Sequence, residues 1–376
     1  MSEPEQRVSP LELFFDLVFV FALTQVTALM SEDPTWQGLG RGMLVLSALW
    51  WAWGAYAWLT NYVATDEGKE RILMFGVMAA MLVAALAVPH AFNDDAVLFG
   101  IAYAAVRWLH IFIFAEASDD VDALQAIRRL ARTAIPAPAL IIVAGFLDGT
   151  AQAALWVLAL SIDFAGPFVF GVRGFRVSAA HFAERFGLIV IIALGESIVA
   201  VGAGMAGQQL VAELIVGAVL GVVIAAGLWW AYFDVVAIVA ERHFREARGH
   251  RRLLIARDSY SYLHLPLVAG IVLVALGIKK GLGHVDEPLK LIPAVALFGG
   301  LALYYAGHIG FRLRNVGTLN RQRLVVVVLC VALVPLVTHV DALVSLVLAA
   351  AVTSGLIAYE ALHFREARAR MRAAAS

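Results

Sequence analysis

Long apolar runs alternate with short polar loops from one end of the chain to the other. Cut into segments near the 20 or so residues needed to cross a hydrocarbon core, they predict spans at 10–30, 42–62, 72–90, 97–115, 133–148 and 152–172. A second set follows at 181–205, 211–239, 260–279, 290–311, 323–339 and 342–362. The pattern predicts an all-α polytopic transmembrane helix bundle of about twelve spans. Pro136 and Pro138 interrupt the first turns of the fifth span, and the eighth is long enough to tilt or to run on past the bilayer.

Composition agrees with a lipid solvent. Of 376 residues, 62% are hydrophobic and 15% charged, whereas soluble domains carry about 25% charged residues. The polar start MSEPEQRVS lacks the basic region and small-residue cleavage site of a signal peptide, so the first apolar run is expected to stay as a span. Cys330 is the single cysteine and has no partner for an intrachain disulfide. The net charge of -1 says little, but its distribution says more. Of the 28 Lys and Arg residues, 22 fall on the side that holds both termini. Four (Arg41, Lys279, Lys280 and Lys290) fall on the other side, and Arg107 and Arg185 lie within spans. By the positive-inside rule both termini are expected in the cytoplasm.

An internal repeat divides the chain. Glu12–Gln25 aligns with Glu184–Glu196 with one gap, and LWWA recurs at Leu49–Ala52 and Leu228–Ala231. Two six-helix halves, 1–176 and 177–376, would then share one orientation and be related by an axis along the membrane normal.

Candidate chemistry is the polar content of the spans, because an ionised group in hydrocarbon is costly and usually faces a partner or water. Glu12 and Asp16 sit one turn apart on one face of the first span. For Glu12 two readings stand: a role in the site, or closure of a capping box with Ser9 as N-cap and Pro10 at the first helical position. Capping does not account for Asp16. In the seventh span His181, Arg185 and Glu196 fall within an arc of about 60°, with Glu184 on the flank. Gln25 occupies the place of Glu196 in the first half. Arg107 and His110 share one side of the fourth span, and Asp163 or Glu196 could pair with the guanidinium. Gly166-Pro167, just after Asp163, is expected to break the sixth span. Asp234, His264 and His308 complete the secondary candidates, each with a plain structural reading beside the functional one.

Walker A, CxxC, HExxH and GxSxG patterns are absent. No cofactor and no nucleic acid is expected; a metal site built from His181, His264 and His308 stays open. Gly217 and Gly221 read as a close-packing pair. The basic stretch Arg242–Arg257 reads as a positive-inside loop or a contact for anionic lipid.

Two segments carry a family resemblance. SPLELFFDLVFVFALTQ (Ser9–Gln25) and HFAERFGLIVIIALGESIVAVG (His181–Gly202) resemble the signature stretches of the bacterial low temperature requirement A (LtrA) family. The resemblance implies a multi-pass bacterial inner-membrane protein tied by family to growth in the cold, and implies no mechanism. By position it carries over Glu12, Phe15 and Asp16, then His181, Glu184, Arg185, Gly195 and Glu196.

The function expected first is a secondary transporter or ion-conducting protein, with proton coupling as one form of it. Its partners would be the lipid bilayer and an unidentified small molecule or ion. Asp16 and Glu196 would carry protons or cations, and Arg185, Arg107 and His181 would tune them or hold an anionic group. One alternative is a non-transporting membrane sensor, scaffold or lipid-interacting protein. Another is an intramembrane lipid-modifying enzyme using His181 and Glu184 as acid and base.

Overall fold

Apolar segments in lipid must satisfy their backbone polar groups internally, so each closes into a helix. A computed structural model describes residues 7–368 apart from 64, 66, 119 and 367. Arg370 and Arg372, two of the arginines in the charge count, lie outside the described residues.

The first helices are α1 (Pro10–Glu32), α2 (Trp36–Thr60), α3 (Gly68–His90) and α4 (Ala96–Glu116). The short α5 (Val121–Ala134) and α6 (Pro136–Ala144) follow, then α7 (Gly149–Val169) and α8 (Ala179–Gly204). The rest are α9 (Ala212–Glu246), α10 (Gly249–Gly283), α11 (Leu291–Val316), α12 (Arg321–Val337) and α13 (Ala342–His363). Ten of them are long and apolar enough to cross a membrane. The exceptions are α5, α6 and the 17-residue α12; α6 and α12 fall on the fifth and eleventh predicted spans, while α5 lies almost wholly in a segment expected to be a loop. No strand occurs among the described residues. Exposed Leu17, Ile72, Val219 and Val328 on these helices are covered if the surroundings are lipid.

Three local predictions meet the coordinates directly. The capping box is formed: Ser9 Oγ accepts from the Glu12 N–H at 3.2 Å, and Glu12 Oε2 accepts from the Ser9 N–H at 2.8 Å. The eighth span runs on to Glu246, past a turn at residues 234–235. The break at Gly166-Pro167 does not occur, since α7 continues to Val169 with Pro167 inside it. The proline removes one ladder bond without ending the helix. The Pro167 carbonyl accepts instead from Arg257 Nη1 at 3.1 Å.

The chain separates into two compact units. Unit 1 comprises residues 1–33, 37–185 and 247–257, and unit 2 comprises 34–36, 186–246 and 258–376. In unit 1, α3 packs on α1 and α4, and α6 on α4 and α7. Gly100 and Gly145 let α4 and α6 cross closely, as a Cβ on either would meet the partner backbone at 2.8 Å. Within this unit α2 is the most buried span, and it contributes the large fully buried Trp50, Trp53 and Tyr56.

In unit 2, α10 packs on α11 and α9 on α13. The α10–α11 crossing is built on glycine: a Cβ at Gly270 would lie 2.7 Å from the Gly300 carbonyl oxygen. Gly217 and Gly221 seat Leu282 and Ile278 of α10, which is the close packing expected of them. Overpacking of such a contact costs about 1–3 kcal/mol. Gly270→Leu is therefore expected to lower the thermal unfolding midpoint in detergent, whereas Gly76→Ala, with nothing within 4 Å, does not lower it.

Candidate functional site

The N-terminal turns of α1 and α8 bring four of the sequence candidates together in unit 1. Phe15, Phe19 and Leu23 share the buried side of α1 with Glu12 and Asp16, so the two carboxylates are carried inward with the apolar stripe. His181 and Arg185, four residues apart on α8, present one face to them. Glu12 Oε1 lies 2.7 Å from Arg185 Nη1, and Arg185 Nη2 donates to Asp16 Oδ1 at 2.8 Å. His181 Nε2 lies 3.0 Å from Glu12 Oε2. Trp53 of α2 completes the ring, donating its indole N–H to Asp16 Oδ1 at 2.8 Å. None of these four side chains is more than 4% exposed.

Glu12 thus closes the capping box and also pairs with Arg185. The helix dipole of α1 also favours its charge, since it sits in the first turn. Hydrogen-bonding capacity is left over inside the cluster. Asp16 Oδ2, His181 Nδ1 and Arg185 Nε are buried without a partner. Counting charges, two carboxylates face one permanent cation, so the cluster is neutral when one proton is held by His181 or by a carboxylate.

Glu184 is not in the cluster. It stands exposed at the edge, accepting from the Val8 N–H at 3.3 Å.

A second buried pair lies in the same unit. Arg107 Nη2 donates to both oxygens of Asp163, at 3.0 and 2.9 Å, and both side chains are 1% exposed. Of the two acids open to Arg107 by sequence, Asp163 is the partner. His110 is buried one turn along α4, its ring edge-on to Tyr56 at 5.5 Å. Gln25 is half-buried, nine residues beyond Asp16 on α1.

The remaining candidates belong to unit 2. Glu196 is 2% exposed on α8. His264 Nε2 pairs with the Tyr232 hydroxyl at 2.8 Å, and its Nδ1 with the Ser259 carbonyl at 2.9 Å. Asp234 pairs with Arg368. His308 is 1% exposed. No group of three or more His, Cys, Asp or Glu is gathered for a metal ion among the described residues.

Sequence reasoning missed two features. Trp53 carries no charge and drew no notice, although it sits just after the repeated LWWA. Arg323 was counted as a loop arginine, yet it is 4% exposed at the start of α12. Its Nε and Nη2 donate to the two oxygens of Glu360, at 3.0 and 3.1 Å, and Nη2 also to the Ala231 carbonyl at 3.1 Å. The available signal was Glu360, the one acidic residue of the last helix, placed about one turn before its end.

Comparison with known proteins bears on these same residues. The chain is 29% identical over 308 residues, 79% of its length, to the uncharacterized protein RA0937 of Rhizobium meliloti (strain 1021), of which 75% is covered. No solved structure matches. The family described as bacterial low temperature requirement A protein (LtrA) matches residues 7–358, a stretch that includes the whole Glu12–Arg185 cluster. The chain belongs to the LtrA family.

Proposed function

We propose that this LtrA protein is a secondary transporter or ion-conducting protein of a bacterial inner membrane, and that Glu12, Asp16, His181 and Arg185 form its proton-binding centre. The observation that carries the reading is the charge count of that cluster. Two buried carboxylates against one guanidinium leave one exchangeable proton to settle its charge, and an unbalanced charge in a dry interior is costly. Unpartnered Asp16 Oδ2 and His181 Nδ1 mark where that proton could be taken up. Glu196, further along α8, is the second carrier.

In this reading both termini are cytoplasmic, as the arginine distribution favours, and the halves 1–176 and 177–376 form a parallel repeat. Twelve crossings then need two beyond the ten long helices. The end of α5 with α6 supplies one. α12 supplies the other, its 17 residues rising about 26 Å. By family, the activity serves growth in the cold.

The test is proton flux into proteoliposomes under an imposed pH gradient, followed by an internal pH dye. Wild-type protein is expected to move protons, with flux lowered at least tenfold in Asp16→Asn and in Glu196→Gln. Equal flux in wild type and Asp16→Asn would remove the cluster from the path. No flux from folded wild-type protein would favour a non-transporting sensor or scaffold, a reading that the one-to-one Arg107–Asp163 pair suits better than the two-to-one cluster does.

A further inference from the structure

A cavity of about 310 Å³ opens in unit 2 where α11 ends, α12 begins and α13 ends. This is the size of a small-molecule site. Its polar wall includes His308, Arg312, Asn315, Arg323 and Glu360, and residues 235–240 of α9 add a mostly apolar side.

Two groups on this wall lack partners. Both ring nitrogens of His308 are buried without a hydrogen bond, and so is Asn315 Nδ2, whose Oδ1 accepts from Ser259 at 2.8 Å. A buried polar group left unpaired costs folding free energy, which a bound ligand can recover. The charged part of the wall is unbalanced in one direction. Arg312, Arg323 and Arg368 line it, while the carboxylates paired with them are Glu360 and Asp234. Three guanidiniums to two carboxylates leave one positive charge in excess, and Arg312 is the exposed one.

The geometry points to a binding site for an amphiphilic organic anion, with its acidic head at Arg312 and Arg323, its apolar body against α9, and a hydrogen-bonding group reaching His308. His308 lies one helical turn from Arg312 and about two from Asn315 along α11, so the polar contacts are spread over about 10 Å. Inorganic phosphate alone is too short to meet them all. A phosphate or carboxylate head on a short carbon chain is long enough. The head could come from a soluble metabolite or from an anionic lipid, since the chemistry at the arginines is the same. The site stands whether or not the Glu12–Asp16 cluster carries protons.

Full-length protein in phosphatidylcholine nanodiscs, titrated calorimetrically, tests this. Hexyl phosphate is expected to bind saturably at one site, at least tenfold more tightly than inorganic phosphate, and hexyltrimethylammonium not at all. Arg312→Gln alters an exposed side chain and is expected to weaken hexyl phosphate at least fivefold, as is His308→Phe. Dihexanoyl phosphatidylglycerol binding more tightly than hexyl phosphate would assign the site to a lipid headgroup, and weaker binding would assign it to a soluble anion. The proposal is overturned if neither amphiphilic anion binds saturably, if the cationic probe binds as well, or if Arg312→Gln binds hexyl phosphate like wild type.

Discussion

Arg185→Met is expected to destabilise the protein by about 3–5 kcal/mol, the cost typical of removing one partner from a buried ion pair. Among the described residues Arg185 is the only permanent cation touching Glu12 and Asp16, at 2.7 and 2.8 Å, and all three side chains are nearly inaccessible. Without it two carboxylates face each other across one turn of α1 with His181 alone to balance them. Adding Asp16→Asn should restore much of the loss, because it removes one of the two stranded carboxylates and leaves Glu12 against His181 at 3.0 Å. Chemical denaturation in detergent, read by tryptophan fluorescence, gives all three values. A double variant no more stable than Arg185→Met would mean that packing of the arginine, not charge, holds the cluster together.

The second large effect lies at Arg107 and Asp163, where charge is balanced one to one. Arg107→Met and Asp163→Leu are each expected to cost about 3–5 kcal/mol, for the same reason of a stranded buried charge. Here the double variant should return to wild-type stability or exceed it, since an apolar pair of similar volume removes both desolvation penalties. The interaction term of the double-mutant cycle is then large and favourable to recovery. A double variant as unstable as the sum of the singles would show that the pair also positions α4 against α7. Comparing the two cycles separates a closed structural pair from a cluster that needs a proton.

Much of this was legible from local pattern. Helical periodicity put Glu12 with Asp16 on one face of α1, and His181 with Arg185 on one face of α8, because a turn of 3.6 residues sets those faces without reference to neighbours. The Ser9–Glu12 capping box was readable for the same reason, as its bonds span three residues. Arg107 was recognisable as a group needing an acid, but two acids were eligible and nothing along the chain ranks them. Arg323 was misread because a basic residue at the start of an apolar run looks the same whether it faces water or Glu360. Pro167 was misread because a proline costs a helix one ladder bond, and whether the chain breaks there or continues through it depends on the packing around it.

The amino-acid sequence by itself determined that this chain is a set of long apolar helices carrying a few buried charges, because the cost of exposing peptide groups and ions to lipid is paid residue by residue. It also determined the family, through two short motifs. Only the tertiary structure decided which charges meet: Glu12 and Asp16 with Arg185 across 169 and more residues, Arg107 with Asp163, and Arg323 with Glu360. Those pairings depend on how helices pack, through contacts such as Gly100 on α6 and Gly270 on Gly300. Packing is a property of surfaces brought together from distant parts of the chain, and no periodicity along one helix encodes it.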